Sequence, residues 1–164
     1  MNPIVLNTTP LHLTDEKFSQ LCEANGDLNL ELSAKGELII VPGVGGEKGI
    51  QEAELIFKVG IWNNQKKLGI VFSSSTIFSL PNGAKRSPDV AWIKLERWEA
   101  LTPEQRKKFP ALTPDFIIEL RSESDRLKIL QAKMQEYLDN GLRLGWLINP
   151  QDGKTNKKSI IPAS

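Results

Sequence analysis

The sequence predicts a mixed α+β domain with a central β-sheet flanked by helices, and three observations carry that prediction. The chain has 164 residues, 40% hydrophobic and 25% charged, which suits one domain with a buried core and excludes a largely disordered chain. Short apolar, β-branched runs alternate with longer stretches in which apolar residues recur at helical spacing. Turn and cap residues punctuate these stretches throughout, with no repeat, linker or low-complexity tract between them. A single domain over 1–164 follows, with an N-terminal helix and hairpin at 14–41 and a core at about 47–150.

Each element has its own local signal. Thr14 caps a helix running to about Ala24, stopped by Asn25-Gly26. Leu28–Leu32 and Glu37–Val41, joined through Ala34-Lys35-Gly36, read as a hairpin. The loop Gly43-Val44-Gly45-Gly46 opens a helix over about Glu47–Asn63, in which Ile50, Ala53, Phe57 and Ile61 recur at helical spacing and predict the buried face. Gly69–Ser73 and Thr76–Leu80 read as strands, followed by a turn at Pro81-Asn82-Gly83. Asp89–Lys94 is a strand entered through Pro88. Thr102-Pro103-Glu104 starts a short helix. The run Asp115–Leu120 is dense enough in apolar residues to be an interior strand. Ser124 or Asp125 caps a helix to about Asn140, and Leu144–Ile148 is the last clear strand, stopped by Asn149-Pro150.

Composition removes several chemistries. The one cysteine, Cys22, excludes an internal disulfide framework and a Cys-based zinc site, and the one histidine, His12, excludes a multi-His metal site. Any metal is left to carboxylates and carbonyls. No apolar run reaches the length of a membrane span, so the expectation is a soluble, cytoplasmic protein without a membrane partner. The segment Gly43–Gly49 departs from a phosphate loop because Lys48 stands where a glycine is needed. Ser73-Ser74-Ser75 has no histidine near it in sequence, and the four tryptophans fall within strand and helix patterns, as core residues do. The charge is asymmetric: residues 1–82 carry six Lys and no Arg against nine acids, whereas 83–164 carry 15 basic residues, including all six Arg, against 11 acids.

Glu119 is the most informative residue, because it interrupts an apolar strand, and a carboxylate in a dry sheet interior is costly unless paired, protonated or metal-bound. Alternation places it on the face of Ile117 and Arg121. Asp89 opens another strand, and two carboxylates at neighbouring strand ends suit a hard divalent cation if the strands are adjacent. Lys133 lies at the border of the apolar stripe Leu127, Leu130, Met134, Tyr137 and Leu138, within reach of a sheet edge, whereas Glu136 is expected to point to solvent.

Four ordered stretches, Ser73–Phe78, Leu80–Ile93, Pro114–Asp125 and Lys133–Pro150, resemble the Uma-two family of restriction endonuclease-like proteins, within the PD-(D/E)XK nuclease superfamily. The resemblance runs from about residue 10 to 150. It implies a restriction endonuclease-like core: helix 47–63, a three-stranded antiparallel meander from strands near 69–80, 89–94 and 115–121, helix 125–140 and strand 144–148. It carries Asp89 onto the PD aspartate and Glu119 onto the acidic motif residue. Arg121 stands where the motif has its lysine, and the lysine function moves to Lys133 in the pattern Lys133-x-x-x-Tyr137. Glu31 matches a recurrent family glutamate, and Glu52 or Glu54 lies on the first core helix; which of these assists a metal is left open.

The implied activity is hydrolysis of DNA phosphodiester bonds with Mg²⁺ or Mn²⁺ held by Asp89 and Glu119, Lys133 as the further catalytic residue and Arg121 on phosphate. Cutting both strands with one small site implies a homodimer. A nuclease scaffold that has lost catalysis and binds nucleic acid or regulates is the alternative, since Arg121 replaces the motif lysine and the residues after the last clear strand are short of the family pattern. A third reading is an interaction module with no nucleic-acid role. The only strand signal after 148 is Ser159-Ile160-Ile161, which predicts a partly unpaired strand at 144–148.

Overall fold

Pro88, fully buried, turns the chain from one β-sheet into another, and the residues on either side of it set the layout. The computed structural model describes residues 2–152 and 158–160. Its strands are β1 (Ile4–Leu6), β2 (Asn29–Leu32), β3 (Leu38–Val41), β4 (Gly69–Phe72), β5 (Phe78–Ser79), β6 (Lys85–Arg86), β7 (Val90–Lys94), β8 (Phe116–Leu120), β9 (Leu144–Ile148) and β10 (Lys158–Ile160). The helices are α1 (Asp15–Ala24), α2 (Gly46–Lys66), α3 (Leu95–Glu99), α4 (Pro103–Lys107) and α5 (Leu127–Asp139). One sheet has the order β1-β3-β2-β6-β5 and the other β10-β9-β8-β7-β4.

The second sheet is the larger apolar layer. Strands β4, β7 and β8 form an antiparallel meander, and α5 then crosses over so that β9 runs parallel to β8. Ile93 and Ala91 of β7, Ile117 of β8 and Leu147 of β9 meet Met134 and Tyr137 of α5 in the main core. Each large apolar side chain enclosed there contributes about 1.5–3 kcal/mol of burial. A smaller core forms where Phe18 of α1 covers Leu30, Leu32 and Leu38 of the first sheet. Thr14 caps α1 by accepting from the Lys17 amide, and Thr102 closes a capping box on α4.

The mixed α+β architecture with helices on the sheets is as the sequence predicts, with differences in detail. The expected strand Thr76–Leu80 shortens to Phe78–Ser79 and joins the first sheet through Lys85–Arg86, leaving the meander to β4, β7 and β8. The helix expected at 47–63 forms, but Ile50, Ala53, Phe57 and Ile61 are all exposed. The inward side carries Glu52, buried, and Leu55, Ile56 and Val59, half-buried. The helix has two apolar stripes, and periodicity detects a stripe without saying which one meets the sheet. The inner face is fixed by Trp62, whose ring meets Trp92 edge-on, and by Asn63, whose side-chain oxygen accepts from the Gly69 amide and the Trp92 indole N–H. Helix α5 starts at Leu127, and Asp125 accepts from the Ser122 amide instead of capping it. Lys158–Ile160 pairs with β9, so that strand has partners on both sides; Ile161 lies outside the described residues.

Two glycines are required by close approach. A Cβ on Gly69 would run into the Ile93 carbonyl and the Trp92 ring, and one on Gly145 would meet the ends of the Met134 and Leu142 side chains. Backbone cannot yield as a flexible methionine can. Gly69→Ala should therefore destabilise the protein by about 3 kcal/mol, the upper end of the overpacking range, and Gly145→Ala by about 1 kcal/mol. Denaturant midpoints of the two variants check this, and equal losses would contradict it.

Candidate active site

The antiparallel register of β7 on β8 pairs Val90 with Ile118, and one further step sets Asp89 level with Glu119. Alternation then turns Asp89, Ala91 and Ile93 to the same side as Ile117 and Glu119, the side covered by α5. Asp89 is fixed there by the Leu120 amide, which donates to its Oδ2 at 2.7 Å. Helix α5 carries Lys133 and Tyr137 one turn apart over the end of β8. The Lys133 ammonium lies 2.9 Å from Glu119 Oε1, and the Tyr137 hydroxyl donates to the same oxygen at 3.3 Å. Asp89, Glu119 and Lys133 thus come together at the ends of β7 and β8.

The first sheet supplies the rest. Glu31 on β2 accepts from the Lys133 ammonium at 3.0 Å, from Arg86 Nη1 at 3.1 Å and from the Ser87 amide at 2.9 Å. Arg86 on β6 also donates from Nε to Glu136 at 2.6 Å, so Glu136 serves as a partner of Arg86 and does not point to solvent as expected. Of the two candidate glutamates of α2, Glu52 faces the site and Glu54 is exposed on the other side. Glu52 shares the Lys48 ammonium with Asp89 and Asp125, at 3.6, 3.7 and 3.8 Å. The Glu52 Oε1 atom is buried with no hydrogen bond.

Arg121 sits apart from this cluster: its guanidinium donates to the Asp125 carbonyl and to Asn149 Oδ1 at the end of β9. Sequence reasoning did not single out Lys48, Arg86 or Asp125 as site residues. Lys48-x-x-x-Glu52 was a readable signal, because that spacing stacks the two on one helix face. Arg86 and Asp125 had none, since their neighbours come from other elements.

Burial pushes the Glu119 carboxyl up to about 7; Lys133 pulls it down, and the Asp89 and Glu31 charges add to the rise. Burial also raises Glu52, with the Asp89 charge helping and Lys48 opposing. Burial works to raise Glu31 as well, but Lys133, Arg86 and the Ser87 amide outweigh it and hold that carboxyl below its usual range. For Lys133 burial favours the neutral amine, but Glu119 and Glu31 win and keep it protonated.

A family model described as "Putative restriction endonuclease", Uma2, matches residues 15–155. The chain belongs to the Uma2 family. Among solved structures, a crystal structure of a "putative nuclease belonging to DUF820" from Anabaena variabilis ATCC 29413 superposes with a TM-score of 0.71. It is 17% identical and covers 91% of this chain and 83% of its own, a likeness of fold. No curated protein matches the chain. The Uma2 match spans every element from α1 to β9, and so both sheets that feed the site.

The charges around Glu119 give a test with a sign. Asp89→Asn removes a like charge and should lower the Glu119 pKa below about 7, while Lys133→Met removes the opposing cation and should raise it above about 7. Carboxyl ¹³C shifts of Glu119 followed against pH read both, and shifts in one common direction would contradict the arrangement.

Proposed function

We propose that this Uma2 protein is a metal-dependent endonuclease that hydrolyses DNA phosphodiester bonds, with Asp89, Glu119 and Lys133 as its catalytic residues. The observation that carries the reading is the Lys133 ammonium, held 2.9 Å from a carboxylate that lies level with a second carboxylate on the next strand. An acidic pair beside a fixed ammonium is what hydrolysis of a phosphodiester needs: ligands for a hard cation, and a positive group for developing charge. Membership of a family described as restriction endonucleases supports the same chemistry.

The donor set fits Mg²⁺ or Mn²⁺. Asp89, Glu119 and Glu52 offer only hard oxygen atoms, and one Glu52 oxygen is buried without a hydrogen bond. Among the described residues no three carboxylate, thiol or imidazole side chains already stand at metal-binding distance. The space beside Glu52 and Asp89 is taken by the Lys48 ammonium, at contacts of 3.6 and 3.7 Å, longer than the roughly 2.7–2.9 Å of a strong charge-assisted hydrogen bond. Lys48 therefore acts as a loosely held counter-ion for the carboxylates. A bound divalent ion supplies Lewis acidity at the phosphoryl oxygen and an acidified water.

The chain's own groups do the remainder. Asp89 is aimed by the Leu120 amide, so its free oxygen is presented without a rotamer search. Lys133 is braced from both sides by Glu119 and Glu31 and offers its remaining N–H to a water or to the phosphorane oxygens. Glu31 is a positioning residue: it holds Lys133 and Arg86 and acts through them. Arg121 keeps N–H donors beyond the two it uses and contributes them to a flanking phosphate.

Nicking of supercoiled plasmid in Mg²⁺ tests the reading. Wild-type protein should cleave, and Asp89→Ala, Glu119→Ala and Lys133→Met should each lose at least about a hundredfold, the scale of one electrostatic catalytic group. Cleavage retained in Asp89→Ala would sink the assignment. The counter-ion role of Lys48 has a readout independent of cleavage. Lys48→Met should tighten Mn²⁺ binding about tenfold by calorimetry, which is about 1.4 kcal/mol, and unchanged or weaker binding would exclude that role.

A further inference from the structure

The outer stripe of α2 is an apolar surface facing away from the candidate site. Ile50, Phe57 and Ile61 are 63%, 67% and 42% exposed, and at about 100° per residue all three fall within roughly 40° of one another. Val44, just before the helix, and Leu68, just after it, are exposed as well. Leu55, Ile56 and Val59 already give this helix its inner packing face, so the stripe is a second apolar face. Among the described residues nothing covers it. A contiguous exposed apolar strip of this kind marks an interaction surface.

We infer that this stripe is a homodimer interface in which α2 packs antiparallel on α2 of a second copy, about a two-fold axis near the middle of the helix. The sequence of α2 is complementary to its own reverse. With the axis between Leu55 and Ile56, Ile50 meets Ile61 of the partner subunit and Phe57 lies against Ala53 of the partner subunit, a large side chain over a small one. One flank of the stripe carries Glu54 and Lys58, both exposed. A two-fold axis brings that flank against itself, so Glu54 meets Lys58 of the partner subunit twice. The opposite flank carries Gly60, where an added Cβ would meet no atom within 4 Å, and bare backbone there lets the second helix approach closely.

Self-complementarity argues for a second copy as the occupant: pairing stripe with stripe buries apolar surface on both sides, whereas a polar partner surface would bury it on one side only. The inference does not depend on the nuclease reading, because the stripe points away from Asp89 and Glu119.

Sedimentation equilibrium of the full chain from low to high micromolar concentration tests it. The expected result is a reversible dimer. Phe57→Glu and Ile61→Glu should each give a monomer with unchanged circular dichroism, since both residues are exposed in the folded chain, and a thermal midpoint that no longer rises with protein concentration as the wild type's does. Glu54→Lys and Lys58→Glu alone should each weaken association about tenfold by making two symmetric pairs repulsive, and the double swap should restore it to within about threefold. A chain that stays monomeric throughout, because some other surface or protein covers the stripe, overturns the inference. So does a dimer indifferent to Phe57→Glu, or charge variants that the double swap does not rescue.

Discussion

The Lys133 ammonium is the point at which the two sheets and α5 are tied together. It lies 2.9 Å from Glu119 on β8 and 3.0 Å from Glu31 on β2, and all three side chains are largely buried. Taking an ammonium out of water costs several kcal/mol, and a single carboxylate rarely offsets it. Here two carboxylates share it; the Glu31 Oε1 that meets the ammonium also accepts from the Ser87 amide, and its Oε2 accepts from Arg86. The network is stable only as a whole: removing one partner leaves an uncompensated charge, a loss of about 3–5 kcal/mol. This rigidity suits the catalytic role proposed for Lys133, because the ammonium's position is set by strands and a helix and not by its own flexible stem.

The small sheet gains a purpose from this. On packing grounds β2 and β6 only need to cover Phe18, yet they also present Glu31 and Arg86 to α5. The connection Ser87-Pro88-Asp89 makes the two sheets mutually dependent. The Ser87 amide binds Glu31, the Ser87 hydroxyl donates to the Ser74 carbonyl, and Asp89 accepts from Leu120 across the next strand. Three consecutive residues thus register the small sheet, the loop before β5 and the larger sheet against one another, which is why the site stands at the seam.

What could be read in advance follows from which contacts are local. Glu119 is legible because a carboxylate in Phe116–Leu120 breaks a local rule, and Lys133 because a charge at the edge of an apolar stripe is positioned by helix geometry alone. The neighbourhood of Asp89 and Glu119 needs the β7–β8 register, which no short pattern encodes. Glu31, Arg86 and Glu136 meet across about 50 residues of chain each, so their network has no local signature. Helix α2 shows the opposite failure: its length and period are plain, but its two apolar stripes leave the inward face undetermined until Trp92 and Gly69 are placed beside Trp62 and Asn63. Thr76–Leu80 has strand composition, yet most of it gives way to the turns that bring Ser74 to Ser87.

The charge balance of the seam shows why its carboxyls are perturbed unevenly. Among the described residues, the ion pairs of Glu31, Glu52, Asp89, Glu119, Asp125 and Glu136 are with Lys48, Arg86 and Lys133. Six carboxyls against three cations in a partly dry environment cannot all ionise cheaply. Burial works to raise all three glutamates: Glu31 has both Arg86 and Lys133 at hydrogen-bond distance and is held low, Glu119 has Lys133 against the burial cost, and Glu52 has the more distant Lys48. The deficit falls on Glu52 and Glu119, the two whose carboxyls are pushed up. Protonation at Glu119 relieves part of the excess negative charge near neutral pH, and the divalent cation proposed above would relieve it without protons. The same imbalance that makes this corner of the fold costly to build is the physical basis of the hard-cation site proposed above.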